Sequence, residues 1–478
     1  MLKQQLNHKL NLMTELAPLD RRDLPKPLSL KKLIGPSFIL LGLGLGSGEL
    51  ILWPFLASNY GLGIMWAALL GITFQFFINM EIERYTLICG ESVFVGLARK
   101  LRSFAPVWFI LSTLIPWMWP GIIAASGTLL ASVLGIKYSS LVPIVLLVAI
   151  GAILTLGPII YRTQEVFQRT LILVGVPFIV ILVFLFAKPV DWQTLAVGLV
   201  GKGNGFWFLP AGISLATFLG AFAYAGAGGN LNLAQSYYIK EKGYGMGKFS
   251  GRITSILTGK AEKIKLEGVT FETTLENIKK FKLWWKRINI EHAVVFWATG
   301  AFAMTMLSLL AYTTVFGNPS KADGINFLLS EGGLIAQSTL PVVGTLFLLI
   351  AATMLFSTQF SVMDASSRIM SENLIILSPK TFKIENLAKF YYAFLWLQIL
   401  AGIIIFSLGF TQPLLLVVIG ASLNAFAMFI YSGLILWLNL TNLAKSLRPS
   451  IFRIFWVSLA FLFYGGFSFF TILQNLPK

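Results

Sequence analysis

Apolar residues run along most of the chain in long blocks, and the charged residues lie in short clusters between these blocks. An apolar block of about 18 residues or more can cross roughly 30 Å of hydrocarbon as a helix. Helices satisfy their own backbone hydrogen bonds inside a bilayer. The pattern therefore predicts an all-α, polytopic membrane protein with about 11 transmembrane helices. These predicted spans, numbered 1 to 11 in chain order, lie near 34–58, 64–88, 106–134, 141–160, 170–187, 206–238, 290–316, 340–372, 388–409, 412–438 and 452–473.

Lysine and arginine residues are concentrated on one side of the predicted spans. Thirty of the 37 lie in the segment 1–33 and in every second loop, whereas five lie on the opposite side. Cytoplasmic loops are enriched in Lys and Arg, so the N-terminus is predicted to be cytoplasmic. An odd number of spans then places the C-terminus outside. We expect an integral, multi-pass protein of a bacterial inner or plasma membrane.

Composition narrows the classes of function. The chain has 478 residues, of which 56% are hydrophobic and 12% charged, against about 25% charged in soluble domains. The net charge of +17 is explained by the loop asymmetry, so no nucleic-acid partner is expected. A single cysteine, Cys89, excludes a disulfide framework, and two histidines, His8 and His292, exclude a His-rich metal site. No enzymatic constellation is visible, and residues 1–33 lack the apolar region of a cleavable signal peptide.

The segment 239–289 is the largest predicted loop. Residues 271–287 are predicted to form a basic amphipathic helix with Trp284 and Trp285 at the lipid interface. Four glycines between 243 and 251 suggest a phosphate loop, but the preceding strand and the Lys-Ser/Thr ending are missing, so no nucleotide partner is expected. The predicted divisions of the chain are a cytoplasmic tail at 1–33, spans 1–6 at 34–238, the basic loop at 239–289, and spans 7–11 at 290–473.

Spans 1 and 6 each contain a run of small residues that ends in a polar residue and a leucine. The two runs are GSGEL at 46–50 and AGGNL at 227–231. Glycine costs a helix about 1 kcal/mol relative to alanine, and two interrupted spans at such positions indicate an inverted-repeat transporter. Close helix packing through small residues is the alternative. It does not explain Glu49, because a mid-span carboxylate costs several kcal/mol unless it has a partner or a function.

With these residues the chain resembles the Nramp (natural resistance-associated macrophage protein) family of divalent-metal transporters over about residues 34–440. The resemblance implies a leucine-transporter-like fold of two inverted five-helix repeats with broken helices 1 and 6. The repeats would cover 34–187 and 206–438. The matching features are Gly35-Pro36 at the start of span 1, the run 46–49 in place of Asp-Pro-Gly-Asn, the run 227–230 in place of Met-Pro-His-Asn, Arg84 and Gly90 at the end of span 2, and the Ser/Thr-rich span 8.

The chain departs from this family at the residues that bind the metal. Gly46 stands in place of the family's Asp and Glu49 in place of its Asn. Ala227 replaces the thioether Met, and Gly229 replaces the His. The resemblance therefore implies a divergent, Nramp-related branch that has lost the usual metal-site Asp and Met.

Proton coupling and ligand chemistry are expected to differ as well. The family's acidic pair in the third span falls on Trp119 and Ile122, so transport is not expected to be proton-coupled. An oxygen-only site suits a hard cation such as Mg²⁺ or Mn²⁺, and small residues leave room for an ion that keeps several waters. The predicted substrate- or metal-binding residues are Glu49, Gly46, Ser47, Asn230, Ala227 and Gly226, and the predicted helix breaks are Gly48, Gly228 and Gly229.

Other polar residues lie inside the spans. Asn232, Asp364 and Gln359 are secondary site candidates. Arg368 follows Asp364 by four residues, so an i,i+4 ion pair is the alternative role for Asp364. Structural roles are expected for the remaining groups, which are Glu81 and Glu83 beside Arg84, Gln75, Asn424 and the Trp117-Met118-Trp119 segment.

Three classes of function are compatible with these observations. The leading hypothesis is a secondary transporter of divalent cations, whose partners are the metal ion and the lipid bilayer and which needs no cofactor beyond that cation. The alternative is a transporter of a small organic solute, such as an amino acid, because the usual metal ligands are missing and the breaks are lined by small residues. A non-transporting membrane protein such as a sensor is disfavoured, because no sizeable sensory domain is visible.

Overall fold

The computed structural model describes residues 16–33, 36–44, 46–137, 139–156, 161–250, 266–318 and 324–475. Within these residues the chain is mostly helical, and a two-stranded parallel sheet pairs Asp20–Arg21 with Val269–Thr270. Eight of the described helices are long and apolar enough to cross a membrane, or nine if a bent pair in span 1 counts as one span. The all-α, polytopic fold is confirmed, whereas the count of about eleven spans and the inverted repeat stay predictions.

Most predicted spans coincide with one continuous or kinked helix. Spans 2 to 5 correspond to Met65–Cys89, Phe104–Trp117 followed by Gly121–Val133, Leu141–Leu156, and Tyr161–Phe186. Spans 7 to 11 correspond to Leu275–His292 followed by the π-helical turn Ala293–Ala298 and Thr299–Val315, then Pro341–Leu377, Leu387–Ser407, Pro413–Asn442 and Ile451–Asn475. Short helices in the connections are Leu30–Leu33, Leu62–Ile64, Val93–Leu101, Pro189–Gly198, Gly245–Phe249, Asn326–Ser338, Ile384–Asn386 and Lys445–Leu447.

Span 1 is broken at its glycine-rich run. Pro36–Gly44 and Trp53–Tyr60 are α-helical, and Gly48–Leu52 forms a π-helical turn in which the Leu52 N–H donates to the carbonyl oxygen of Ser47 at 3.1 Å. The two parts of the span are bent by 40°. Such π-helical turns are frequent at functional sites.

Span 6 is broken as well. Helix Leu215–Ala223 is separated by a non-helical stretch from the 3₁₀ turn Gly229–Ala234, which leads into helix Gln235–Lys242. Gly228 and Gly229 have φ angles of +73° and +52°, the left-handed region in which glycine avoids the Cβ clash of other residues. The backbone can therefore leave the α-helical conformation at this point without strain.

The predicted beginning of span 6 is wrong. Residues 206–214 form turns and extended backbone, and the helix begins at Leu215. Ser214 sets this boundary, because its hydroxyl accepts a hydrogen bond from the Thr217 N–H at 3.3 Å as an N-cap. In the apolar run before Ser214, the ring of Phe208 packs edge-on against Trp66, with 5.3 Å between ring centroids.

The predicted interfacial helix 271–287 is also corrected. It forms helix Leu275–His292, which continues directly into span 7. Trp284 is 1% exposed, and its indole N–H donates to a backbone carbonyl of the tail at 2.9 Å. Trp285 is half-buried under the guanidinium group of Arg84. Trp284 therefore packs against protein rather than lipid.

The broken spans approach each other closely in the interior. A Cβ atom on Gly44 would lie 2.7 Å from the carbonyl carbon of Gly226, and one on Gly48 would lie 1.5 Å from the carbonyl oxygen of Tyr224. Span 2 packs beside them. Of its most apolar stretch of 18 residues, 72% is buried inside the protein, compared with 22% for the corresponding stretch of span 11. Small residues thus allow the two breaks to meet at the centre of the helix bundle.

Candidate functional site

Glu49 lies in the π-helical turn of span 1 and is 0% exposed. Neither carboxylate oxygen has a hydrogen-bond partner among the described residues. Its Oε1 lies 3.2 Å from the position that a Cβ atom on Gly300 of span 7 would occupy, and the side chains of Ile72 and Leu41 border the same position. The carboxylate therefore faces an apolar surface, where an uncompensated charge costs several kcal/mol. A bound cation or a proton would remove this cost.

The residues directly before Glu49 pack against span 8. The hydroxyl of Ser47 is buried and has no hydrogen-bond partner in the described part of the chain. A Cβ atom on Gly46 would lie 2.4 Å from Oγ1 of Thr358, which donates to the carbonyl oxygen of Gly42 at 3.1 Å. This contact explains why position 46 holds glycine, because a larger residue such as the Asp of the Nramp motif would displace Thr358.

Asn230 stands at the break of span 6 and faces span 3. Its amide nitrogen donates to the hydroxyls of Ser112 at 2.8 Å and Thr113 at 2.9 Å. Its Oδ1 is buried without a partner among the described residues. Asn424 of span 10 presents a second such amide oxygen beside Gly229, where a Cβ atom would lie 1.8 Å from it. The break thus presents two amide oxygens that can accept a hydrogen bond or coordinate a cation.

The structure brings the two breaks together without joining their polar groups. Glu49 faces spans 2 and 7, whereas Asn230 faces span 3, and Glu49 makes no hydrogen bond to it. Gly226 and Ala227 are buried between them. Across the described ranges, no group of three or more His, Cys, Asp or Glu side chains could hold a metal ion. A metal here would rest on one carboxylate, neutral oxygens and water.

Aromatic and amide side chains complete the surroundings of the span 6 break. The rings of Trp117 and Tyr224 stack at 5.4 Å with an angle of 7°, and Asn424 donates to the Tyr224 hydroxyl at 2.8 Å. Gln75 donates to a carbonyl oxygen of span 6 at 2.8 Å and accepts from the Gly228 N–H at 3.4 Å. The sequence indicates only packing for Trp117 and helix-to-helix hydrogen bonds for Gln75 and Asn424, and it does not single out Tyr224. Their location at the break follows from the fold.

Asp364 and Asn232, two of the three secondary candidates, have protein partners. Asp364 pairs with Arg368 at 3.0 Å and accepts from the Tyr391 hydroxyl at 2.8 Å, so the ion-pair alternative is confirmed. Asn232 donates to the hydroxyl of Tyr431 at 2.8 Å. Gln359 is buried in span 8. The charge of Asp364 therefore has a protein partner, whereas Oδ1 of Asn232 is buried without a partner among the described residues, as Oδ1 of Asn230 is.

Two cavities lie toward opposite ends of the bundle. One of about 900 Å³ is lined by residues that include Phe55, Thr217 and Ser422, and one of about 610 Å³ is lined by residues that include Cys89 and Asn442. Span 10 contributes its first half to the larger cavity and its last residue to the smaller one. Neither Glu49 nor Asn230 lines either of these two cavities.

No model of a known protein family matches the chain, and no curated protein sequence matches it. The manganese transporter of Eremococcus coleocola, solved in complex with an aromatic bis-isothiourea substituted compound, matches with a TM-score of 0.67 at 12% identity over 98% of this chain and 93% of that chain. Mhp1, a nucleobase-cation-symport-1 family transporter solved in a closed conformation with bromovinylhydantoin bound, matches with a TM-score of 0.55 at 12% identity over 97% of both chains.

These likenesses confirm the leucine-transporter-like fold of a multi-pass integral membrane protein. The matched proteins are membrane transporters and not enzymes. At such low identity the likeness extends to the fold alone, so membership of the Nramp family stays a prediction.

Proposed function

We propose that this protein is a secondary transporter that moves a divalent metal cation across the membrane by alternating access. The observation that carries the proposal is the Glu49 carboxylate, buried at the break of span 1 with both oxygens unpartnered among the described residues. A transported cation compensates this charge and also accounts for a broken helix at the same place.

The neutral groups around the breaks suit a hard cation. Ser47 Oγ and Asn230 Oδ1 are buried oxygen atoms without partners in the described part of the chain. The backbone carbonyl oxygens near Gly46 and Gly226, where the helices are interrupted, add further ligands for the cation. Oxygen ligands with retained water are what Mg²⁺ and Mn²⁺ prefer. Because Glu49 and Asn230 face different spans here, the half-helices shift or water bridges the gap when the ion binds.

Alternating access requires a closed site between two openings. The cavities of about 900 Å³ and about 610 Å³ at opposite ends of the bundle provide the beginnings of both pathways. Movement of the half-helices that follow each break would open one end or the other. The sequence carries no phosphate-loop motif, which favours a secondary over a nucleotide-driven transporter.

The substitution Glu49→Gln tests this proposal, because it removes the charge and keeps the size of the side chain. We expect it to abolish Mn²⁺ and Mg²⁺ binding in calorimetry and uptake into proteoliposomes. Asn230→Ala removes one neutral ligand and should weaken binding by about fivefold, or about 1 kcal/mol. Monodispersity of each purified variant checks the fold.

Glu331→Gln is the matched control. Glu331 is another buried carboxylate, at 1% exposure, but it lies in helix Asn326–Ser338 outside both breaks. The control should bind and transport like the parent protein. Divalent-cation binding by Glu49→Gln at the affinity of the parent would refute the metal site.

A small organic solute is the second candidate substrate. The stacked rings of Trp117 and Tyr224 and the unpartnered amide oxygens of Asn230 and Asn424 favour it, because flat aromatic surfaces and amides are common in sites for small organic molecules. Uptake of amino acids that survives Glu49→Gln but is lost in Tyr224→Ala would select this function over cation transport.

A further inference from the structure

A second group of buried titratable side chains lies away from the two breaks. Glu83 of span 2, and Glu291 and His292 at the beginning of span 7, are 1%, 7% and 0% exposed. The hydroxyl of Ser37 donates to Glu291 Oε2 at 2.6 Å and lies 2.8 Å from His292 Nδ1. His292 Nδ1 lies 3.5 Å from Glu83 Oε1, which accepts from Gln235 at 2.6 Å. These five residues form the 83/291/292 cluster.

The hydrogen bonds of the cluster can run in two directions. A serine hydroxyl has one proton to donate. When Ser37 donates to ionised Glu291, His292 Nδ1 carries the proton and donates to Ser37. When Glu291 binds a proton, it donates to Ser37, Ser37 donates to His292 Nδ1, and the imidazole hydrogen moves from Nδ1 to Nε2, which has no partner among the described residues. Both bonds of the Ser37 hydroxyl are therefore made before and after the proton binds.

Charged groups from two elements, spans 2 and 11, surround the cluster. Glu81 and Arg84 of span 2 pair at 2.7 Å, and Arg453 of span 11 lies 3.6 Å from Glu81. Arg453 also acts electrostatically on Glu83 and His292. Apolar rings stack on both sides of the His292 imidazole. These rings belong to Phe76 at 5.6 Å and Phe296 at 4.7 Å.

The cluster connects both broken spans to their neighbours. Ser37 belongs to the first half of span 1, and Gln235 begins the last helix of span 6. Hydrogen bonds to ionised carboxylates are about twice as strong as neutral ones. With Glu83 and Glu291 ionised, both half-helices are held to spans 2 and 7. A proton on the cluster replaces a charge-assisted bond with a neutral one.

We propose that Glu83, Glu291 and His292 form a proton-binding site whose occupancy releases the half-helices on the side of the basic loops. The proton comes from water on that side, reaches the cluster through Glu291, which at 7% is the most exposed of the three, and leaves the same way. It does not cross the protein, so the site sets the rate of transport without coupling it to a proton gradient. This agrees with the prediction that transport is not proton-coupled, which rests on Trp119 and Ile122 standing in place of an acidic pair.

An infrared pH titration of the purified protein in detergent tests proton binding without any substrate. We expect a protonated-carboxyl band whose intensity changes with pH, because Glu83 and Glu291 belong to one coupled cluster. The band should lose its titrating component in Glu83→Gln or Glu291→Gln. Ser37→Ala keeps both carboxylates and should displace the midpoint to higher pH, because the ionised form of Glu291 loses a donor.

The control Glu385→Gln removes an exposed carboxylate and should keep the titrating component unchanged. Ser37→Ala also serves as the second variant if the glutamine variants are not monodisperse. A titrating band that is unchanged in all three cluster variants, or no titrating band in the parent protein, would overturn the proposal.

The consequence for transport rests on the proposed function and is measured separately. Mn²⁺ uptake into proteoliposomes should depend on the pH at the face that carries the basic loops, and Ser37→Ala should displace that dependence. A pH-sensitive dye in the lumen should show no substrate-dependent acidification at constant membrane potential, and acidification would contradict a site that does not pass protons across. If no Mn²⁺ enters, the proposed function fails while the infrared result still decides the proton site.

Discussion

Gly48 is the residue at which the two broken spans approach most tightly. A Cβ atom there would lie 1.5 Å from the carbonyl oxygen of Tyr224, and a backbone carbonyl cannot rotate away as a flexible side chain can. We expect Gly48→Ala to force the breaks apart and to cost about 1–3 kcal/mol of stability, as overpacking usually does. Thermal unfolding of the purified protein measures this loss as a lower Tm.

Gly466 provides the control for this substitution. It lies in helix Ile451–Asn475, and no atom lies within 4 Å of the position of a Cβ. Alanine favours a helix over glycine by about 1 kcal/mol, so Gly466→Ala should leave Tm unchanged or raise it. A Tm for Gly48→Ala equal to that of the Gly466 variant would mean that the breaks are not packed as described.

The positions of the breaks could be predicted from the sequence because glycine acts locally on the backbone. The directions of the side chains could not. Glu49 points toward Gly300 because a π-helical turn rotates it, and the sequence does not reveal such a turn. The sequence predicts that Gly46 lines the site. In the structure Gly46 leaves room for the side chain of Thr358, a contact between distant parts of the chain that the sequence does not reveal. Which residues form the binding site stays a prediction.

Helix Leu275–His292 is fixed by a part of the chain 259 to 260 residues away. Trp284 donates to the carbonyl oxygen of Pro25, and Arg287 donates to those of Pro27 and Leu28 at 3.1 and 2.6 Å. The amphipathic pattern correctly indicated a helix. It could not distinguish lipid from a protein segment as the cover of the apolar face, because that contact is non-local.

The tail should come loose when this contact is removed. Trp284→Phe loses one hydrogen bond, about 1 kcal/mol, whereas Trp284→Ala also loses the packing of the ring, about 3–5 kcal/mol. Trypsin cleavage after Arg21 or Arg22 should therefore accelerate slightly in the first variant and strongly in the second. Lys286→Ala, an exposed change on the same helix, should not alter the rate. Equal cleavage of all four proteins would show that Trp284 does not hold the tail.

At the scale of the whole molecule, the tail and the large loop define one face. The strand Asp20–Arg21 pairs in parallel with Val269–Thr270, so the tail and the segment 239–289 lie on the same side of the bundle. This agrees with the Lys and Arg counts, which place both on the basic side. The charge pattern and the strand pairing are independent observations, and both require an even number of crossings between these segments.

The side on which each face lies can be tested with reporter fusions. Basic loops stay cytoplasmic, so a reporter inserted in 239–289 should be active only as a cytoplasmic fusion. Helix Ile451–Asn475 is the last of the predicted eleven spans. Because eleven is odd, a reporter after Lys478 should lie on the external side, opposite to the reporter in 239–289. A third reporter between Gly198 and Ser214 serves as the control and should also be external. If the reporters in 239–289 and after Lys478 were found on the same side of the membrane, the predicted odd number of spans would be wrong.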